Sequence, residues 1–270
     1  MTDHAFTRKP GKRFELDAID PGFTAGLEGK KQAENRLERN FERLHELQEM
    51  LYADGSRALL IVLQAMDTAG KDGTIEHALG AFNPQGVQVT SFKVPTEEEL
   101  AHDFLWRIHR AVPRRGMVGI FNRSHYEDVL VVRVKKLAPE AVWRRRYDEI
   151  NDFERLLGEN GVTIVKLFLH ISPEEQAERL RERQVTSDKQ WKFNPGDLED
   201  RKLWPDFMRA YEDALSRCNT EHARWWVVPA NHKWYRNLAV TEILVETLES
   251  MGLRYPDPIP DIEGYVIPEV

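Results

Sequence analysis

The chain has 270 residues, of which 41% are hydrophobic and 31% are charged, and this length suits one large α/β domain or two small ones. It carries 38 Lys and Arg residues against 45 Asp and Glu residues, a net charge of −7 at pH 7. This balance argues against a protein that coats nucleic acid, and any polyanion that the chain binds must be held by a local basic site.

The lone cysteine, Cys218, cannot build a disulfide framework or a cysteine-based zinc site, and it indicates a reducing compartment. The first 14 residues lack the apolar segment of a signal peptide. No apolar run approaches the roughly 20 residues that a membrane helix needs. We therefore expect a cytoplasmic protein that binds neither a membrane nor a nucleic acid.

Helices and strands are predicted to alternate along the chain. Residues 1–29 form a polar arm that is expected to lie on the surface or on a partner subunit. Apolar residues at spacings of 4, 3, 3 and 4 then predict a helix from Lys30 to Asp54. Five strands are predicted, at 58–63, 87–92, 117–121, 162–169 and 225–228. Later helices are predicted over about 96–112, 139–158 and 234–251, and two more are predicted to start near 73 and 172.

This alternation predicts a parallel sheet with helices on both faces, a fold in which ligands collect at the carboxyl ends of the strands. We expect a single domain over residues 30–255 and a Pro-rich tail over 256–270.

The first predicted strand runs directly into QAMDTAGKDGT, after which a helix resumes. A strand, a loop with a Gly-Lys pair and a helix make a phosphate loop, in which backbone N–H groups and the helix N-terminus bind an anion and Lys71 adds a positive charge. The match to GxxxxGK[ST] is imperfect, because Ala65 replaces the first glycine and Asp72 replaces the hydroxyl residue that usually binds magnesium. Asp67 is the candidate replacement metal ligand, and the alternative is an ordinary turn with a surface lysine. The predicted phosphate-binding residues of the loop are Ala69, Gly70, Lys71, Asp72, Gly73 and Thr74.

The third predicted strand ends in FNRSHYED. Phosphate-loop proteins often close the equivalent strand with an Asp that helps to hold Mg²⁺, and here Asn122 takes that place. Glu127 and Asp128 follow shortly and could supply the missing negative charge, and Arg123 would point into the same cleft. Ser124 and Glu127 also match a helix capping box, and both roles can hold at once.

A third basic region predicts a lid over about 179–201. Arg179 and Arg183 are four residues apart and share one helix face. The stretch 184–198 contains aromatic and basic residues, among them Lys192, and loops of this length are often active-site lids. The alternative is a solvated helix surface, because glutamates interleave with the arginines.

Two further observations narrow the choice of function. Arg133 lies in an apolar run close to the FNRSHYED segment and is the best additional ligand candidate among the other basic clusters. His125 has no second His at metal-ligand spacing, and GxSxG, HExxH, CxxC and N-K-x-D motifs are absent from the sequence. Hydrolase triads, zinc proteases and guanine-specific switch proteins are therefore not supported.

Three motifs in this order resemble the polyphosphate kinase type 2 family: AMDTAGKDG (65–73), FNRSHYEDV (121–129) and WKFNPGD (191–197). The resemblance covers residues 30–252 and implies a P-loop kinase-like α/β/α fold, similar to thymidylate kinase, with a five-stranded parallel sheet and a helical lid. It also implies reversible transfer of the terminal phosphoryl group of inorganic polyphosphate to nucleotides. The motif with Asn122 resembles that of the class III branch, which accepts both AMP and ADP.

The resemblance implies a role for each matched residue. The implied catalytic residues are Asp67, Lys71, Arg123 and Glu127. The implied lid residues that bind phosphate are Arg179, Arg183 and Lys192, and the expected nucleotide-binding residues are Asp67, Asn122, Arg123 and Arg133. We expect Mg²⁺ or Mn²⁺ to be held by Asp67, Glu127 and Asp128. Family members are commonly oligomeric, which implies a homo-oligomer, either a dimer or a tetramer.

The chemistry implied is positioning and charge neutralisation, because the attacking phosphate oxygen of a nucleotide is already largely anionic near neutral pH. Two other functions share these motifs. One is an ATP-dependent P-loop kinase of a small molecule, which would differ in needing ATP as the donor. The other is a non-catalytic nucleotide-binding regulator, which would bind nucleotide without turnover.

Overall fold

A parallel sheet of five strands forms the centre of the computed structural model, which describes residues 5–270. The strand order is β2-β3-β1-β4-β5, and every pairing is parallel. The strands are Ala58–Ala65 (β1), Val87–Ser91 (β2), Val118–Asn122 (β3), Val162–His170 (β4) and Trp225–Pro229 (β5). The five predicted strands are confirmed, with boundaries that differ by one or two residues.

Ten α-helices connect and cover the strands within residues 5–270. They are Lys30–Asp54 (α1), Lys71–His77 (α2), Glu97–Leu100 (α3), Trp106–Ala111 (α4), Val131–Val134 (α5), Glu140–Glu159 (α6), Pro173–Val185 (α7), Pro195–Lys202 (α8), Trp204–Arg217 (α9) and Lys233–Ser250 (α10). A 3₁₀ turn, His125–Asp128, follows β3, and another, Gln190–Lys192, lies in the lid region.

The single helix predicted over 96–112 is wrong, because the chain forms two short helices there. Thr96 and Glu99 make the predicted capping box at the start of α3. The Asp103 carboxylate then accepts a hydrogen bond from the Leu105 N–H at 2.9 Å. Such a local side-chain contact stabilises a turn in competition with the helix, and α4 begins only after it.

The sheet is buried on both faces, which explains its apolar strands. All eight residues of β1 are buried. Leu60 and Val62 pack in one hydrophobic cluster, and Leu59 and Ile61 pack in the other, as the two-residue period of a strand requires. The first cluster also contains buried residues of α6 and α9, and the second contains those of α1 and α10. The predicted three-layer α/β/α architecture is confirmed.

Residues 5–29 differ from the expected surface arm because they pack on the chain's own domain. Phe14, Leu16 and Ile19 are buried in the core beside α6 and α9. Phe6 exchanges two backbone hydrogen bonds with Val227, of 2.9 and 2.8 Å, and so covers part of the free edge of β5. The few apolar residues in this polar segment are the ones that anchor it. Residues 1–4 lie outside the described part of the chain, and the division at 29/30 and 255/256 stays a prediction.

The described helices include none that is both long enough and apolar enough to cross a membrane.

Candidate active site

A cleft of about 740 Å³ lies at the carboxyl ends of β1, β2 and β3, where the alternation of strands and helices placed the expected ligand site. The loop between β1 and α2 forms its floor. The residues that line the cleft are Asp67, Thr68, Gly70, Lys71, Asp72, Gly73, Glu76, His77, Ser91, Phe92, Lys93, Asn122, Arg123, Arg179, Glu182, Arg183, Lys189, Trp191, Lys192, Asn194, Asp197, Lys233 and Arg236. Most of the basic side chains in this set come from the phosphate loop, the lid and the first turn of α10.

The phosphate loop has the backbone of an anion cradle. Thr68 and Gly70 have positive φ angles of 65° and 104°, and α2 starts at Lys71 with its free N–H groups at the cleft. The Lys71 side chain is 9% exposed, and its Nζ donates to the carbonyl oxygens of Ala65, at 2.9 Å, and Met66, at 3.4 Å. Within residues 5–270 this ammonium group forms no ion pair with a carboxylate.

Two buried arginines hold the loop from beneath. The Arg179 guanidinium donates to the carbonyl oxygens of Thr68 and Ala69, each at 3.1 Å, and its Nε pairs with Glu175 at 2.7 Å. Arg236 donates from Nη1 to the Gly70 carbonyl oxygen at 3.2 Å. Arg179 was predicted to face the phosphates, and it lines the cleft with most of its donors already bound to the main chain.

Arg236 is a residue that the sequence reasoning missed. Its remaining donors bind the Asn237 side chain at 3.1 and 2.7 Å, and no carboxylate in the described part of the chain pairs with it. Burial, followed by the like charge of Arg179, lowers its pKa to about 10. Its place one turn into the helix after the last strand could have suggested it, because strand ends collect ligand-binding residues.

The segment after β3 brings two acidic groups to one arginine. The Arg123 guanidinium contacts Asp67 Oδ1 at 2.6 Å and Glu127 Oε2 at 3.3 Å. Burial lowers the pKa of Arg123, but the carboxylates of Glu127 and Asp67 outweigh it and raise the pKa overall. Asn122 donates to Asp72 Oδ1 at 2.8 Å and so ties β3 to the phosphate loop.

Several predicted site residues do not reach the cleft. Asp128 pairs with Arg146 at 2.8 Å on the far side of the 3₁₀ turn, where burial raises its pKa to about 6. Arg133 pairs with Asp213 at 2.6 Å instead of facing the cleft. Ala69 and Thr74 are fully buried, and Thr74 donates to the Gly70 carbonyl oxygen within the loop. Glu127 does not line the cleft itself, but it contacts Arg123, which does.

The lid region has the helices that the family resemblance implied, since α7 runs to Val185 and α8 begins at Pro195, and the stretch between them contains turns and the 3₁₀ turn Gln190–Lys192. Arg183 donates to the Lys192 carbonyl oxygen and to Asp197 Oδ2, each at 3.3 Å, so α7 and α8 are joined beside the cleft. Asp197 was given no role from sequence, although it closes the WKFNPGD motif. Burial, and then the nearby negative charge of Asp67, raise its pKa to about 6. Trp191 is 78% exposed at the mouth of the cleft.

Comparisons with known proteins identify the family of the chain. Residues 28–256 match the Polyphosphate kinase 2 (PPK2) family. The chain belongs to the polyphosphate kinase 2 family. It is 55% identical over 260 residues to an AMP/ADP-polyphosphate phosphotransferase of Meiothermus ruber, covering 96% of this chain and 97% of that protein. It is 45% identical over 254 residues to an ADP-polyphosphate phosphotransferase of Rhodopseudomonas palustris, covering 90% and 86%.

A solved structure of the family supports the fold. The crystal structure of Polyphosphate Kinase 2 from Arthrobacter aurescens TC1 matches with a TM-score of 0.90 and 47% identity, over 96% of this chain and 95% of that one. The predicted family and the P-loop kinase-like fold are confirmed. This member of the family is therefore a kinase-type enzyme that uses polyphosphate and nucleotides, and phosphoryl transfer of this kind requires a divalent metal ion.

The acidic residues of the cleft fit such an ion. No group of three His, Cys, Asp or Glu residues within residues 5–270 could bind a metal by itself. Asp67 and Glu127 nevertheless present hard carboxylate oxygens on the two sides of Arg123. Mg²⁺ typically takes one or two protein carboxylates and completes its shell with substrate phosphates and water. A site that the substrate completes is consistent with this donor set.

The loop geometry predicts that Gly70→Ala destroys the site. A Cβ at Gly70 would overlap the Arg236 guanidinium, and φ of 104° is unfavourable for alanine. We expect kcat/KM for polyphosphate to fall about 100-fold or more, the scale of a displaced charge contact. The matched control is Gly73→Ala, whose Cβ would lie 3.4 Å from Arg236, and there we expect a change below about threefold. Equal losses in steady-state assays of the two variants would contradict this role of Gly70.

The burial of Lys71 predicts a pH dependence. Burial, followed by the charge of Arg123, lowers the Lys71 pKa to about 8, although Asp67, Glu127 and Asp72 act in the opposite direction. Lys71 is therefore charged below this pH and neutral above it, so polyphosphate affinity in EDTA should fall between about pH 7 and pH 9. Lys71→Arg keeps its charge over that range and should lose this dependence. Calorimetric titrations that show the same decline in both proteins would refute the assignment.

Proposed function

We propose that this enzyme transfers the terminal phosphoryl group of inorganic polyphosphate to AMP and to ADP, in a reversible reaction that ends at ATP. The observation that carries the proposal is the Arg123 guanidinium between Asp67 and Glu127, directly beside a cationic phosphate loop. The name of the Meiothermus ruber relative, which includes both AMP and ADP, supports the acceptor pair. Asn122 at the end of β3 agrees with the branch that uses both acceptors.

The basic residues divide the work of binding two polyanions. Backbone N–H groups at the start of α2, with Lys71 and Arg236, form the side of the cleft that would bind polyphosphate. Arg183 and Lys192 line the lid and would extend this positive track. Asn122 and Arg123 lie on the β3 side, where the acceptor phosphate would enter beside Asp67. Preorganised positive groups of this kind stabilise the charge of the transferring phosphoryl group.

Asp67, which lines the cleft, would hold the metal ion, which we propose to be Mg²⁺ or, in its place, Mn²⁺. Glu127 would join it only where its carboxylate reaches past Arg123. The bound ion would supply charge neutralisation between the two phosphate groups. Arg123 fixes the direction of both carboxylates before substrate arrives. The prediction that Asp128 is a third ligand is weakened, because its carboxylate would have to leave Arg146.

The acceptor needs no strong base, because its phosphate oxygen is already anionic. The task of the protein is therefore to bring the two phosphates into line and to exclude other geometries. Arg123 and Lys71 are the groups placed to do this, since each is held by two contacts, of 2.6 and 3.3 Å for Arg123 and of 2.9 and 3.4 Å for Lys71.

A homo-oligomer, either a dimer or a tetramer, and a cytoplasmic location remain part of the proposal. The first follows from the resemblance to the family, and the second from the nucleotide substrates and the buried, unpaired thiol of Cys218.

The proposal is tested with purified enzyme, Mg²⁺ and polyphosphate, with AMP or ADP as acceptor and no ATP at the start. We expect ADP and ATP to form from AMP, and ATP to form from ADP, only when polyphosphate is present to donate the phosphoryl group. Products are separated and quantified by anion-exchange chromatography. Product formation from polyphosphate with ADP as the acceptor, but none with AMP, would refute the acceptor assignment. Turnover of a small molecule that requires ATP, with none from polyphosphate, would refute the donor.

A further inference from the structure

The FNRSHYED segment has a buried face that the reaction chemistry does not use. Arg123 and Glu127 contact each other beside the cleft, whereas His125 and Tyr126, on the same 3₁₀ turn, are buried in the core. The His125 ring packs against Phe153 with centroids 5.8 Å apart, and the Tyr126 ring packs against Trp225 at 4.7 Å. The turn therefore connects the cleft directly to the interior of the domain.

Beneath this turn lies a fully buried ion pair. Lys166, in the middle of strand β4, donates to Glu154 Oε2 of α6 at 2.6 Å, and the two side chains are 0% and 1% exposed. Lys166 also donates to the Tyr126 hydroxyl at 2.8 Å, and that hydroxyl donates to Glu154 Oε1 at 2.8 Å. His125 Nε2 lies 3.1 Å from the same carboxylate oxygen. Two residues of the turn thus share one charged anchor.

Stability alone does not explain this anchor. Burying two charges costs desolvation energy that their attraction only partly offsets, and well-packed apolar residues are often as stable in such places. Burial raises the pKa of Glu154, but Lys166 and then His125 outweigh it and hold the pKa below its ordinary value, so the carboxylate stays ionised. The hydrogen bonds of the pair are completed by the side chains of Tyr126 and His125 and by the Cys218 carbonyl oxygen.

Arg123 lies two residues before the anchored turn, and its N–H donates to the Leu63 carbonyl oxygen of β1 at 3.1 Å. Arg123 has a φ of 65°, which is unfavourable for a residue other than glycine and persists only when the surroundings enforce it. On its C-terminal side, the Ser124 hydroxyl accepts from the Tyr126 N–H at 3.2 Å and from Gln64 of β1 at 3.1 Å. The turn is thereby fixed both to β1, which leads to Asp67, and to the buried pair.

We propose that Glu154 and Lys166 are positioning residues for phosphoryl transfer, which hold Tyr126 and His125 so that Arg123 lies between Asp67 and Glu127. The inference rests on the proposed function for its kinetic readout. Its structural content is independent, because it states which contacts set the Arg123 guanidinium 2.6 Å from Asp67.

The first test compares two tyrosine-to-phenylalanine variants. Tyr126→Phe removes the hydroxyl that Glu154 and Lys166 share, whereas Tyr147→Phe removes another buried hydroxyl, which accepts from Arg133 away from the cleft. We expect kcat of Tyr126→Phe to fall about 10- to 100-fold, the range for a small misplacement, with both KM values within about twofold. Tyr147→Phe should shift the urea midpoint by about as much as Tyr126→Phe does, and it should keep the kcat of the wild type. Equal kcat values in the two variants would overturn the proposal.

The second test replaces the whole anchor with apolar side chains, in Glu154→Leu/Lys166→Met/Tyr126→Phe. We expect this variant to unfold cooperatively with a midpoint near that of the wild type and to keep the low kcat. Adding Arg123→Lys to the triple variant should lower kcat by no larger a factor than Arg123→Lys does in the wild type, because both changes act through one guanidinium. A folded triple variant with wild-type kcat would overturn the proposal.

An inactive wild-type enzyme would refute the proposed function and leave this inference to its structural test. In a crystal structure of Tyr126→Phe or of the triple variant, Arg123 displaced from Asp67 would support the positioning role. An unchanged Arg123 contact would overturn it.

Discussion

The site depends on cations that are held by main-chain oxygens and form no direct ion pair with a carboxylate. Lys71 and Arg236 bind main-chain carbonyl oxygens and one side-chain amide, and within residues 5–270 neither has a carboxylate partner. Carbonyl dipoles hold these side chains in place but leave their net charge available to an anion. In a chain of net charge −7, this local excess is what allows a polyanion to bind.

The β3 side of the cleft is arranged in the opposite way. There Arg123 is flanked by Asp67 and Glu127, so one positive charge lies between two negative charges before substrate arrives. A cleft with cations that lack carboxylate partners on one side and this net-negative triad on the other can distinguish a phosphate chain from a phosphate that arrives with a metal ion. The two sides are joined by Asn122, which contacts Asp72 of the loop. The β3 side also rests on the buried pair of Glu154 and Lys166, through Tyr126 and His125. The core thus supports the geometry of the reaction as well as the stability of the fold.

The parts of the structure that depend on local pattern could be predicted from the sequence. Apolar runs marked the five strands, and the Gly-Lys pair between a strand and a helix marked the phosphate loop. The three motifs identified the family. The prediction for residues 96–112 was wrong because a single Asp103 contact favours a turn, and helical periodicity does not register such a contact.

Contacts between distant residues explain the rest. Arg236 meets Gly70 across 166 positions of the sequence, and nothing in either segment alone indicates their partnership. Asp128 and Glu127 are adjacent in sequence but lie on different sides of a 3₁₀ turn, too short to show periodicity. Phe14 is buried although its segment is polar, because a few apolar residues are enough to anchor an extended chain.

We infer that Lys71 contributes its charge to the binding of a polyanion and does not contribute to the stability of the fold. The most direct measurement is urea unfolding of the wild type and of Lys71→Met, each with and without tripolyphosphate. Wild type should gain about 2.7 kcal/mol at 100 times the dissociation constant. Lys71→Met should gain little at that concentration, and without ligand it should be at least as stable as the wild type, since methionine has no charge to bury. A Lys71→Met protein that is much less stable than the wild type without ligand, yet gains as much stability from tripolyphosphate, would show that Lys71 serves the fold and not the binding of the anion.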